Sequence, residues 1–294
     1  MALVNSVSKT DQMKTCDDFA QAFIERLSTI SANYDEVRLV FDKYIDSSLK
    51  DTMRQKRTKG KSTYYRVTDS TVIQNITLTN FLSNIKTKAE LTEYLAMKCL
   101  AYSKSPVSKM KKFLVTSGTE TTGNTSIPDI LLTHSQEEAD TLLILHALTV
   151  DKDAELVVDS PDTGALILLI EMYHRLPAAT SFLTGRRNLR RNIAVQAIRE
   201  KLGEKSTSAM IGFHAFTGSD MSGRFAGRST DWCFKVEVCM GMGKTGIPWD
   251  SHGNGSKISH GMGMGIKCME MGVKTWELSP ATVNSLLFLH SNME

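Results

Sequence analysis

Ala154-Glu155-Leu156-Val157-Val158-Asp159 runs through Ser160-Pro161-Asp162-Thr163-Gly164 into Ala165-Leu166-Ile167-Leu168-Leu169-Ile170. Ala154–Val158 is a short run of β-formers that stops on Asp159, which predicts a strand. Ala165–Tyr173 is apolar on nearly every side, which predicts a buried helix. Strand, acidic turn and buried helix in this order form the repeating unit of an α/β fold, with a parallel sheet and helices on both faces.

Upstream, His134-Ser135-Gln136-Glu137-Glu138-Ala139-Asp140-Thr141 precedes the apolar run Leu142–Leu148. Ser135 with Glu138 three residues on fits a capping box, so a helix is expected to open at Ser135. Glu138 and Asp140 would point about 200° apart on a regular helix. They converge only if Glu138 sits in a non-helical cap turn. Further upstream, Val37-Arg38-Leu39-Val40-Phe41-Asp42 reads as a strand ending on a carboxylate, where open α/β sheets place their sites. Downstream, Phe213-His214-Ala215-Phe216-Thr217-Gly218-Ser219-Asp220 supplies one more. Asp42, Glu138, Asp140, Asp162 and Asp220 thus all fall at element edges. Carboxylates grouped in this way suit magnesium or manganese, which take hard oxygen ligands. Taken singly, each also reads as a strand terminator or as an acid favoured at a helix N-terminus.

The remaining chain supplies the frame. Phe19, Ala22, Phe23, Ile24 and Leu27 give residues 10–30 one buried helical face, with Asp11 or Thr15 as its cap. Residues 70–100 look helical, and a second helix is expected over Ala89–Tyr102. Phe113–Thr116 is a plausible strand, and Ser117–Ser126, rich in Gly, Thr and Ser, a loop. Ile193–Leu202 reads as a helix stopped by Gly203. Beyond Cys239 the chain turns to Gly and Met, with Met240-Gly241-Met242-Gly243 echoed by Met262-Gly263-Met264-Gly265. Residues 239–294 are expected to be poorly ordered, with a short helix at Val283–His290.

Two basic clusters stand out. Lys50, Arg54, Lys56, Arg57, Lys59 and Lys61 lie beside Tyr64 and Tyr65, a pattern that suits phosphate contact with base stacking. Arg186 and Arg187 open the second cluster. A solvated surface reads the same way, so both meanings stand.

Hydrophobic content of 41% and charged content of 23% over 294 residues describe an ordinary globular chain with enough material for a core. The net charge of +3 is too small to name a partner. Five cysteines without a Cys-x-x-Cys pair argue against a zinc ribbon and favour a reducing compartment. No run of about 18 apolar residues occurs, so no membrane span is expected and an intracellular, nuclear or cytoplasmic protein is. Gly241-Met242-Gly243-Lys244-Thr245 lacks the glycine that a phosphate loop needs at Val238. Nothing in the sequence addresses oligomeric state.

In their order and spacing these motifs resemble the PIN-like domain of the flap endonuclease superfamily, and within it a group of asteroid-like animal proteins. The resemblance rests on Asp42 after a strand, Glu138-Ala139-Asp140, the turn at Asp162 and His-Ala-Phe-Thr-Gly-Ser-Asp ending at Asp220. It covers roughly residues 1–235 and implies a domain over 1–238, a three-layer α/β/α fold with a mainly parallel sheet. It further implies two divalent ions, Mg2+ or Mn2+, held by Asp42, Glu138, Asp140, Asp162 and Asp220 for phosphodiester hydrolysis. The basic stretch Lys50–Lys61 would meet a nucleic-acid backbone. Two departures are visible. The family's first strand, with its aspartate, would precede Ala2-Leu3-Val4-Asn5, and the chain begins at Met1. In Asp162-Thr163-Gly164, glycine stands where the family has a second carboxylate. The resemblance therefore implies an incomplete or degenerate nuclease-like domain, or a non-catalytic module that binds nucleic acid or protein.

Overall fold

A computed structural model describes residues 2–7, 9–44, 62–136, 138–185, 189–218 and 285–290. Met1–Phe225 and Ala281–Glu294 belong to one compact unit. The other unit, Ala226–Pro280, falls wholly outside the described residues.

After a short helix α1 (Ala2–Ser6), helix α2 spans Cys16–Ser31. Its start is a capping box. The Thr15 hydroxyl accepts from the Asp18 N–H, and the Asp18 carboxylate accepts from the Thr15 N–H at 2.9 Å. Cys16, Phe19, Ala20, Phe23, Ile24 and Leu27 form its buried stripe. Strand β1 is Glu36–Val40.

Residues 70–77, expected to be helical, are irregular, and only Leu78–Phe81 forms a short α3. The backbone here is already committed elsewhere. Cys16 N–H donates to Thr71 O at 2.9 Å, Ile73 N–H donates to Lys14 O at 2.8 Å, and Lys9 Nζ donates to Gln74 O at 2.8 Å. Helix α4 (Ile85–Ser103) follows, with the Asn84 side chain accepting from Lys86 and Thr87 N–H.

Strand β2 is Lys112–Ser117. The expected loop after it is instead a hairpin. Gly118, at φ 66°, turns the chain into strand β3, Glu120–Gly123. The Thr116 and Thr121 hydroxyls meet across this hairpin at 2.7 Å. A short helix α5 (Asp129–Leu132) leads to α6 (Ala139–Ala147), β4 (Glu155–Asp159) and α7 (Thr163–Met172). Strand β5 (Thr180–Thr184) and strand β6 (Arg191–Ala194) form a second hairpin through Gly185, at φ 97°. A Cβ on Gly185 would lie 2.3 Å from Leu189 O, so no other residue fits there. Helix α8 runs from Val195 to Gly218 and is broken at Gly203 (φ 73°), where the sequence placed its stop.

The last described element corrects an expectation. Ser285–His290, read as a short helix within a poorly ordered tail, is strand β7 in the middle of the sheet. The sheet has seven strands in the order β3-β2-β1-β7-β4-β5-β6. It is mixed rather than mainly parallel. β1 with β2 and β4 with β5 are parallel, while β7 is antiparallel to both β1 and β4, and β3 and β6 are antiparallel edges.

Alternate strand residues feed two core clusters, as a period of two requires. Val37, Leu39, Val115, Val157 and Phe288 join α2 and α4 in one. Leu156, Val158, Phe182, Leu287 and Leu289 join α6, α7 and α8 in the other. A strand buried on both sides carries an unbroken apolar run, which is why Leu286-Leu287-Phe288-Leu289 has no alternation.

One polar network lies inside this core. Arg38, in the middle of β1 and 4% exposed, donates to Glu36, to His146 O and to the Thr149 hydroxyl. His146 Nε2 meets the Thr116 hydroxyl at 2.7 Å. Its Nδ1 finds no hydrogen-bond partner among the described residues. Burial, with the Arg38 guanidinium and His134 adding to it, pushes the His146 pKa down to about 3 from 6.5.

The unfolded chain therefore binds a proton below pH 6.5 that the folded chain refuses until about pH 3. Stability is flat in this respect above pH 6.5 and falls by up to about 1.4 kcal/mol per pH unit across that window. Urea unfolding at pH 7, 6, 5 and 4 should show this loss in the native chain and a shallower fall in His146→Gln. Parallel pH profiles for the two would show that His146 is not the group responsible.

Candidate functional site

The β7 register aligns the C-terminal ends of β1 and β4. Val40 pairs with Ser285, and Asp159 pairs with the next residue, Leu286. The chain leaving β1 reaches Asp42, and the chain leaving β4 reaches Asp162, at this one edge of the sheet.

Asp42 is buried, and its Oδ1 accepts the Ala139 N–H at 3.2 Å. Ala139 is the first residue of α6, so Asp42 supplies the helix N-terminus with the acceptor that Ser135 was expected to give. The helix opens at Ala139 rather than at Ser135. Glu138 holds the cap position in extended conformation (φ −86°, ψ 130°) and makes no side-chain cap bond. This is the non-helical cap turn that convergence of Glu138 and Asp140 requires. Asp140 lies in the first turn of α6.

Asp162 caps α7, with its Oδ1 accepting the Gly164 N–H at 2.8 Å. Gly164 is the meeting point. A Cβ placed on it would lie 3.0 Å from Asp140 Oδ2, 3.3 Å from Asp162 Oδ1 and 3.7 Å from His214 Nε2. The absence of a side chain at Gly164 lets two carboxylates and an imidazole close on one small volume. Asp140 and Asp162 both border the space beside Gly164, and Asp42 is tied to the start of the helix that carries Asp140.

His214 was not expected in this group. Its only sequence signal was membership of the His-Ala-Phe-Thr-Gly run, and its approach depends on how α8 lies against α7. Asp220, and the basic residues Lys50, Arg54, Lys56, Arg57, Lys59, Lys61, Arg186 and Arg187, lie outside the described residues.

Asp159 does not join the cluster. It pairs with Arg190 and shares strand parity with Val157, so it turns towards the α2 side. Burial raises its pKa, opposed by Arg190 and Arg26. At the rim, burial and Lys43 hold His134 below the ordinary histidine range.

The resemblance implies two divalent ions at this edge of the sheet. Among the described residues, no group of three or more His, Cys, Asp or Glu side chains is placed to hold a metal ion. Gly164 supplies no ligand of its own, and the donor atoms that a side chain there would meet belong to Asp140, Asp162 and His214.

No protein-family model, curated protein or solved structure matches the chain. Among the described residues, no helix is long and apolar enough to cross a membrane.

Proposed function

We propose that this chain is a degenerate nuclease-like domain, built on the three-layer PIN-like plan of flap endonucleases, that no longer performs two-metal hydrolysis. The observation that carries the reading is Gly164. A side chain at this position would meet Asp140, Asp162 and His214, and here the motif calls for a further carboxylate. Hydrolysis of this kind depends on ion position, and an error of about 1 Å costs about 100-fold. The acidic edge would still attract Mg2+ or Mn2+, and the basic stretch Lys50–Lys61 with Arg186 and Arg187 would meet nucleic acid in an intracellular setting. On this reading the surviving activity is binding, which should weaken steeply with salt.

The full chain should be incubated with single-stranded, flapped and duplex DNA in Mg2+ or Mn2+. No cleavage above that of an Asp140→Asn/Asp162→Asn variant is expected. Divalent-dependent cleavage that this variant loses would overturn the proposal. Gly164→Asp serves as the companion test. Its side chain crowds Asp140 Oδ2, so it should destabilise the metal-free chain by about 1–3 kcal/mol. It should also make the melting temperature rise with added Mn2+ more than in the native chain, because a ligand that binds only the folded state stabilises it. An unchanged response to Mn2+ would argue against a lost carboxylate at this position.

A further inference from the structure

We propose that the gap between β1 and β4 is a strand-acceptor site, and that Ser285–His290 of a second copy of this chain can fill it as the chain's own segment does. The proposal does not depend on the nuclease-like reading. It starts from the sheet order. β1 and β4 are parallel to each other yet share no pairing, because β7 lies between them with five paired residues on each side. β7 is therefore the only strand among those described that links β3-β2-β1 to β4-β5-β6.

Without β7, two unpaired strand edges would face each other across an apolar gap, and such edges take up strands from other chains. The segment that fills the gap is suited to it. Leu287, Phe288 and Leu289 are at most 6% exposed, and they enter both core clusters.

The segment is also remote in sequence. Residues 219–284, 66 in all, separate it from the end of α8. A segment joined through so many residues competes for its slot at a finite effective concentration, which falls as the number of connecting residues grows. Above it, the same segment of another molecule competes on equal terms, which is the condition for domain swapping.

The pairing of Glu155 with His290 makes this testable. Cysteines at directly opposed antiparallel positions lie about 4.5–5.5 Å apart, within disulfide range. In full-length chains with Cys233, Cys239 and Cys268 replaced by serine, E155C and H290C would be placed on separate molecules. The two would then be co-refolded from denaturant and oxidised. A disulfide-linked heterodimer is expected, with a yield that rises with protein concentration between about 10 μM and about 1 mM.

The register control is E155C with S285C. Ser285 lies at the other end of β7, about 16 Å from the partner of Glu155, so this pair should not crosslink. A single chain carrying both E155C and H290C should form the bond internally. No heterodimer at about 1 mM, equal yields from H290C and S285C, or no internal bond in the doubly substituted chain would each overturn the proposal.

Discussion

Phe288→Ala should lower the unfolding free energy by about 3–5 kcal/mol, the range for a large aromatic removed from a core that cannot collapse around the space. Phe288 is fully buried. It pairs with Val37 on one side and Val157 on the other. Its ring stacks on Tyr34 with centroids 4.3 Å apart and planes 24° from parallel. The loss falls on the strand that joins the two halves of the sheet, so neither half can compensate by sliding towards the other. Urea unfolding should show a lower midpoint at an unchanged slope, the sign of lost stability without a changed unfolded state. A cost under about 1 kcal/mol would mean that Phe288 does not occupy this position, and the sheet order would fall with it.

That strand also marks where reading from the sequence stopped. Helix α2, strand β1 and the β4–α7 unit were legible because each declares itself locally, through a periodic apolar face, a run of β-formers and an acidic turn. β7 was not. Four consecutive apolar residues do not distinguish helix from buried strand, and its partners are more than 100 residues away in the chain. β3 and β6 were missed for the opposite reason. They are short edge strands whose residues are largely exposed, so β3 read as polar loop, and β6 as the end of a basic cluster and the first residues of a helix expected over Ile193–Leu202.

The site divides in the same way. Asp42, Glu138, Asp140 and Asp162 could be picked out as acids at element ends, and Gly164 as a departure from the motif. The bond from Asp42 to the Ala139 N–H spans 97 residues, and no local rule predicts it, so the capping role went to Ser135. His214 escaped for the same reason. Its place depends on the lie of α8, and helical spacing within one segment carries no such information.

Arg38→Ala should cost about 3–5 kcal/mol, as much as the loss of the Phe288 ring, through a different kind of damage. Arg38 crosses the core from β1 to the C-terminal turn of α6. It binds the Glu36 carboxylate at 2.6 Å, His146 O at 2.7 Å and the Thr149 hydroxyl at 2.6 Å. A guanidinium also suits a helix C-terminus, where the carbonyls carry partial negative charge. Alanine leaves the mostly buried Glu36 carboxylate without its cation and the His146 carbonyl with one donor fewer, in a space that water fills poorly. The double change Arg38→Met with Glu36→Gln removes both charges while keeping volume, and it should cost far less, since a paired buried charge is dear mainly when its partner alone is lost. Removing Arg38 also removes one of the groups that hold the His146 pKa down, so the acid-induced loss of stability should flatten in Arg38→Met. A double-mutant cycle over residues 36 and 38, run at pH 7 and pH 5, separates these effects. Equal costs for Arg38→Ala and the double change would show that Arg38 contributes packing rather than charge pairing. An unchanged pH profile in Arg38→Met would show that burial alone keeps His146 neutral.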